Sequence, residues 1–389
     1  MITRVFSKRI LKAGCVFLGT VLLFCCVFSV SYAQNNSSQL QDYINSTLDA
    51  RFSHTDFFDE SEVGSTMCDW IAFAMGRYAI VYNDGKREVF CSVQTDEYAD
   101  AAEKYLRDFY ETSGVKTSVK LTEYFRTAIT LTALGRDVSD IIKAVTLNNP
   151  VSLSRLAVMT LSYALIALEI SDIKPDEGSV HTEQEFIDRL ISLQLDDGGW
   201  SLTPLLAGSS DVDVTAITLQ ALAPFFRAGN KDAVSAVDKA LVFLSSRQRS
   251  SGDFASYGVF NAESTSQVLV ALTELGINFY SDERFIKDGN TVLDGLLLYR
   301  LSDGSFTHAF TKDDQNASAV PGAYNYLATD QAAYALVSCW RQQTELNSLY
   351  NMRVDVSDFA DVDIVSVLSS LRELLFRLVY ILFSEFITL

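Results

Sequence analysis

The chain has 389 residues, of which 48% are hydrophobic, and its formal net charge is −18 at neutral pH. So acidic a protein repels phosphate backbones, which argues against a nucleic acid as its partner. The length is sufficient for one large hydrophobic core or for two modest ones.

Residues 1–33 have the three parts of a secretory signal. An apolar stretch at 15–30 is followed by the small-x-small sequence Ser31-Tyr32-Ala33, which is typical of a cleavage site. The basic start consists of Arg4, Lys8, Arg9 and Lys12. We predict that the mature chain begins at Gln34, loses these four positive charges and so carries −22. It is then secreted or held at the extracytoplasmic cell surface.

Three cysteines remain after removal of the signal, namely Cys68, Cys91 and Cys339. So few cysteines do not form a disulfide framework. A bridge between Cys68 and Cys91 is one hypothesis. A helix from Cys68 to about residue 82 rises roughly 20 Å, and an extended return covers a similar distance at about 3.3 Å per residue. Two buried thiols are the alternative.

In chain order, residues 34–60 form a polar lead with one short helix, and residues 61–350 form a repetitive helical domain. Strand signals are confined to 86–93, after a turn at Asp84-Gly85, where a small hairpin is expected. Helices with amphipathic spacing make up the rest of the domain, and the few Gly and Pro residues lie between them.

The sequence QLDDGGW, which ends at Trp200, recurs in altered form at Phe254 and Phe306, at successive intervals of 54 and 52 residues. A period near fifty with two helices per unit is typical of helical-hairpin repeats, in which no single unit buries its apolar face alone. One column of the repeat holds Thr127, Thr215, Thr265 and Thr329. We predict an all-α barrel of about six hairpins, with this column on the inner helices.

Residues 351–389 read as a linker followed by an amphipathic helix at 364–389. Four charged residues argue against a membrane-spanning helix: Arg372, Glu373, Arg377 and Glu385. We predict that the apolar face of this helix covers a membrane surface or a partner helix. The alternative is that the helix folds back onto the barrel.

The turn QLDDGGW resembles the QxxDGxW repeat of squalene and hopene cyclases. The segments DVDVTAITLQAL, NAESTSQVLVALTELGI and DQAAYALVSCWR extend the resemblance over residues 60–350. The pattern is similar to the α/α toroid of terpene cyclases and protein prenyltransferase β subunits, and above all to secreted bacterial proteins with prenyltransferase/squalene-cyclase-type repeats. Vitamin B12 carriers of the intrinsic-factor type are a more distant toroid relative. The resemblance implies the fold, whereas one fold hosts unrelated functions.

Class II terpene cyclases protonate their substrate with the middle Asp of a DxDD motif, and the resemblance places Asp213 at that position. Val214 replaces the last Asp of the motif, and Glu263 and Leu327 occupy the Asp213 column in two other repeats. A carboxylate at the start of a helix caps free amides and meets the positive end of the helix dipole. We therefore predict that Asp213 is an N-cap; a catalytic acid and a ligand contact are the alternatives.

A prenyltransferase-type zinc site would need Asp, Cys and His ligands. None of the three histidines, His54, His181 and His308, lies at ligand spacing from a cysteine of the mature chain. We predict no metal and no cofactor. His308, in the turn after Phe306, is assigned a surface or packing role.

Tyr324 and Tyr326 precede an inner helix, from which they can reach the open end of the barrel. The predicted ligand-binding set is Asp211, Asp213, Glu263, Tyr324, Tyr326 and Asp330. We predict an exported protein that binds a small molecule or a surface protein there without performing chemistry. One alternative is a class II terpene-cyclase-like isomerase with Asp213 as its general acid, and the other is a structural docking module at the cell surface.

Overall fold

The computed structural model describes residues 36–54, 63–78, 80–82, 86–88, 92–115, 121–202 and 210–352. The predictions on the signal at 1–33, on Cys91 and its bridge, and on the helix at 364–389 lie outside these residues. Among the described residues, no helix combines the length and the apolar character that a membrane crossing requires.

The helices are α1 (36–54), α2 (Asp69–Tyr78), α3 (Ser92–Ser113), α4 (Leu121–Ala133), α5 (Ser139–Val145), α6 (Val158–Ser171), α7 (Glu183–Ile191), α8 (Val212–Arg227), α9 (Lys231–Arg247), α10 (Ala262–Glu274), α11 (Val292–Leu297) and α12 (Tyr326–Gln343). Two antiparallel hairpins pair β1 (Ile80–Tyr82) with β2 (Lys86–Glu88), and β3 (Phe254–Ser256) with β4 (Val259–Asn261). Short 3-10 helices lie at Leu153–Arg155 and Glu283–Phe285.

The even-numbered helices form a closed inner ring. Each packs against the next, in the order α2, α4, α6, α8, α10 and α12, and α12 packs against α2 again. Helices α3, α5, α7, α9 and α11 pack against this ring as an outer layer. The fold is therefore the predicted α/α toroid of six hairpins, and its core is the apolar surface between the two layers.

The threonine column lies on the inner helices, as predicted, and its four members are completely buried. The Thr215 hydroxyl accepts the backbone N–H of Trp200 at 2.9 Å. Thr265 and Thr329 accept the N–H of Phe254 and of Phe306 at 3.1 and 3.0 Å. In these three repeats the hydroxyl therefore ties the aromatic turn to the inner helix that follows it. In the fourth position, Thr127 instead donates to Asp69 at 2.9 Å.

Helices α8 and α10 run parallel to each other. The Gln220 amide donates to the Gln267 side chain at 2.9 Å near the middle of the helices. Near their C-terminal ends, a guanidinium nitrogen of Arg227 lies 3.8 Å from a carboxylate oxygen of Glu274. Both pairs are 47 residues apart in sequence. The N-terminal ends of these helices therefore share one end of the barrel, and their C-terminal ends share the other.

The structure differs from the sequence prediction in two places. The predicted boundary at residue 61 separates the first helix from the barrel, whereas α1 buries Leu40, Ile44 and Leu48 against the toroid. The hairpin β3–β4 was not expected. Its two-residue turn has positive φ at Tyr257 (48°) and Gly258 (86°), a conformation that Asn-Gly usually marks in sequences.

Candidate functional site

Asp211, rather than Asp213, caps helix α8. Its carboxylate accepts the backbone N–H of Val214 at 3.1 Å and the hydroxyl of Ser256, on β3, at 2.6 Å. The equivalent caps are Asn261 for α10 and Asn325 for α12, each two residues before the Asp213 column. The prediction that Asp213 is an N-cap is therefore wrong, because the residue two positions earlier already fills that role.

Asp213 lies in the first turn of α8. Its Oδ1 atom is buried and has no hydrogen-bond partner among the described residues. Burial raises the pKa of this carboxyl to about 7, with further contributions from the negative charges of Asp211 and Glu263. The first turn of a helix normally favours a carboxylate, but here burial and like charges outweigh that preference. Asp213 is consequently about half protonated at neutral pH.

Glu263, in the first turn of α10, is the nearest acidic neighbour on the next inner helix. Its carboxylate oxygens lie 2.9 and 3.0 Å from Nδ1 of His308. The other ring nitrogen of His308 lies 3.0 Å from Oδ2 of Asp313. All three side chains are buried. A charged imidazolium with both N–H groups donating fits this arrangement, because a carboxylate stands at each nitrogen.

The pKa of His308 reflects these partners. Burial by itself would lower it, but the hydrogen bonds and charges of Glu263 and Asp313 outweigh burial and raise the pKa of His308 to about 8. We call the set Asp211, Asp213, Glu263, His308 and Asp313 the acidic mouth. At neutral pH it combines one positive charge with three carboxylates and the half-ionised Asp213.

Ser264 follows Glu263 on α10 and is completely buried. Its hydroxyl is near enough to Asp213 to lower the pKa of that carboxyl. The two groups nevertheless lie outside normal hydrogen-bond geometry, and the Ser264 Oγ atom has no other partner in the described part of the chain. Two polar atoms thus meet at the acidic mouth without a completed hydrogen bond.

Aromatic side chains border Asp213 on other elements. Burial raises the pKa of Tyr163, on α6, to about 12, and the charge of Asp213 contributes to that shift. Burial and several nearby groups, Asp213 among them, also raise the pKa of Tyr334, on α12. The Trp70 ring lies 6.1 Å from that of Tyr163 and 5.6 Å from that of Tyr334. The barrel interior next to Asp213 is therefore largely aromatic.

The structure brings three of the six predicted ligand-binding residues together. Asp211, Asp213 and Glu263 share the acidic mouth. Asp330 is instead completely buried, where it accepts a 2.7 Å hydrogen bond from Nε of Arg51.

The two predicted tyrosines are also placed. Tyr324 stacks on His54 with ring centroids 4.0 Å apart, and Tyr326 is the half-buried first residue of α12. As ligand-binding residues, all six remain predictions.

Sequence reasoning missed His308, Asp313 and Ser264. The surface or packing role assigned to His308 does not describe a buried imidazole between two carboxylates. One signal was available, because His308 is one of only three histidines in the chain and lies two residues after the turn aromatic Phe306. Among the described residues, no group of three or more His, Cys, Asp or Glu side chains has the geometry to hold a metal ion.

No protein-family model matches the sequence. No curated protein matches it either. Solved structures do show similarity to the chain. The unsaturated glucuronyl hydrolase of Streptococcus agalactiae is 10% identical with a TM-score of 0.51, and the match covers 80% of this chain and 93% of the hydrolase.

Terpene cyclases are also among the structural neighbours, as the sequence resemblance predicts. The type II terpene cyclase MstE from Scytonema is 14% identical with a TM-score of 0.44, and the match covers 78% of this chain and 99% of the cyclase. The ent-copalyl diphosphate synthase of Streptomyces platensis is 18% identical with a TM-score of 0.44, and the match covers 71% of this chain and 50% of the synthase. At these identities the comparisons support the α/α-toroid fold alone.

Proposed function

We propose that this protein binds a small ligand at the acidic mouth of the barrel and performs no chemistry on it. The observation that carries the proposal is the pair of incomplete polar groups, Oδ1 of Asp213 and the hydroxyl of Ser264. A buried polar atom left without a hydrogen bond costs about 1–3 kcal/mol. Such atoms are rare in folded proteins, and those that occur commonly meet a water or a ligand.

The fold does not need these groups where they are. Asp211 and Asn261 cap the two helices, and Thr215 and Thr265 hold the aromatic turns. A buried, partly charged Asp213 therefore adds an electrostatic cost with no structural gain among its described contacts. Ligand binding accounts for a feature that folding alone would remove.

Export through residues 1–33 is a further part of this proposal. It rests on the basic, apolar and small-residue segments of the sequence. The ligand would then be one that the protein meets outside the cytoplasm.

A second candidate function is proton transfer by Asp213. The specific observation in its favour is the pKa of about 7, since a general acid works best when its pKa lies near the operating pH. The aromatic neighbours Tyr163 and Tyr334 would suit a substrate that develops positive charge. This is the terpene-cyclase-like alternative, and it predicts conversion of the ligand rather than its retention.

Native mass spectrometry of the full chain, after exposure to extract of the producing cells, tests the proposal. We expect one ligand per chain in the wild type and loss of that ligand in Asp213→Asn. Asp232→Asn is the matched control, because Asp232 also lies two residues after an Asn cap, but on the exposed outer helix α9. Absence of a bound ligand, or equal retention by Asp213→Asn, would overturn the proposal. A ligand that changes mass in the wild type alone would establish the second candidate.

A further inference from the structure

We propose that the ligand of the acidic mouth is an organic cation, a protonated amine joined to a flat apolar group. Its N–H groups would donate to Oδ1 of Asp213, and its apolar part would lie against the ring of Tyr257. This inference rests on the proposed function, because it names the chemical class of ligand for the same site.

The charges around Asp213 exclude an anion. Carboxylates face it from its own helix (Asp211), from α10 (Glu263) and, through His308, from the segment before α12 (Asp313). The single cation among these groups, His308, is already shared between two of the carboxylates. The other titratable groups near Asp213 are tyrosines, which are neutral at pH 7 and add no positive charge. Phosphates, diphosphates and carboxylates would therefore meet net repulsion here.

The incomplete hydrogen bonds ask for a donor. Oδ1 of Asp213 can only accept when the carboxyl is ionised, and the hydroxyl of Ser264 can accept as well as donate. An ammonium group carries three N–H donors and one positive charge. It would complete both bonds and offset the excess of carboxylates in a single step, whereas a neutral hydroxyl would complete the bonds alone.

The hairpin β3–β4 supplies an aromatic face. Tyr257 has φ of 48°, and 68% of its side chain is exposed. A tyrosine in this left-handed conformation is strained, and Asn would fit the same turn better. The charges of Asp211 and Asp213 add to burial in raising the pKa of Tyr257, which shows that its hydroxyl lies within their field. A ring held beside carboxylates suits cation–π and stacking contacts with an aromatic or alkyl ammonium.

Three probes of one shape test the proposal by isothermal titration calorimetry: benzylammonium, neutral benzyl alcohol and anionic benzoate. We expect benzylammonium to bind at least about tenfold more tightly than benzyl alcohol, and benzoate to bind more weakly than either. Binding of the cation lowers the pKa of Asp213 from about 7. At pH 7 it should therefore release up to about half a proton per site, seen as a dependence of the heat on the buffer.

Variants locate the effect. Asp213→Asn should abolish the proton release and the preference for the cation, and Tyr257→Asn, which suits the turn, should weaken binding of benzylammonium. Asp232→Asn should change neither. Equal affinity for benzylammonium and benzyl alcohol, both lost in Asp213→Asn, would overturn the cation but leave the acidic mouth as a ligand site. If none of the probes binds, the cation proposal fails, and native mass spectrometry alone decides the proposed function.

Discussion

Nε of Arg51 donates to Oδ1 of Asp330 across 2.7 Å, and this buried pair fastens the first helix to the last inner helix. The same guanidinium donates at 2.7 Å to the carbonyl of Met67, just before α2. Arg51 therefore touches both sides of the seam where α12 meets α2 and the ring closes. A single contact of this kind makes the barrel depend on the helix that precedes the repeats.

We predict that Arg51→Met lowers the free energy of unfolding by about 3–5 kcal/mol, because Asp330 is left buried without its counter-charge. Urea denaturation at pH 8 measures this. The control is Arg107→Met, whose pair with Asp140 is exposed and should contribute under about 1 kcal/mol. The pKa of Asp330 is raised to about 7 by burial, so the loss should shrink as the pH falls and the carboxyl is protonated. Equal losses in the two variants would contradict this account of ring closure.

The threonine column gives a second prediction. Thr265→Val keeps the volume of the side chain but removes the acceptor for the buried N–H of Phe254. Leaving that N–H unpaired should cost about 1–3 kcal/mol. Thr132→Val is the control, since the half-buried Thr132 bonds only within its own helix. If urea denaturation gives the same loss for both, the column does not hold the turns.

The pH dependence of stability follows from Asp213. Its folded pKa of about 7 lies above the ordinary value of 3.8, so its contribution is fully present below pH 4 and is lost as the pH rises to 7. A shift of this size corresponds to at most about 4 kcal/mol. Asp213→Asn should therefore flatten the decline in unfolding free energy between pH 4 and 7, whereas Asp232→Asn should keep it. A wild type whose stability does not fall over that range would contradict the raised pKa.

His308 acts in the same direction at higher pH. Its folded pKa of about 8 exceeds the ordinary value of 6.5, so its contribution is present below pH 6.5 and is lost as the pH rises through 8. His308→Gln should thus be least stable relative to wild type near pH 6 and should approach it above pH 8. Urea denaturation across this range measures the difference, and a constant difference at every pH would show that the imidazolium is not what binds Glu263 and Asp313.

The fold could be predicted because its signal is repeated. The turn aromatics and the threonine column recur in register, and each copy reports the same contact between a turn and an inner helix. Helix α1 has no such copy, and its attachment through Arg51 joins residues 279 positions apart, which no local pattern reveals.

The candidate site was only partly predictable for related reasons. Asp211 and Asp213 are equally good N-caps by residue type, so only backbone geometry shows which one caps the helix and which one faces the barrel. His308 and Glu263 are 45 residues apart, and closure of consecutive hairpins brings them together. The orphaned atoms of Asp213 and Ser264 exist only in three dimensions, since they are defined by the partners they lack among the described residues.

The central claim is that the acidic mouth holds Asp213 as a buried acid that keeps its proton near neutral pH. Carbon-13 NMR of the labelled Asp carboxyl groups, with Asp213→Asn to assign the signal, tests it most directly. We predict that Asp213 titrates near pH 7 in the free protein and at clearly lower pH with saturating benzylammonium. A free protein in which Asp213 titrates near its ordinary value of 3.8 would contradict the account, because the site would then hold no poised carboxyl.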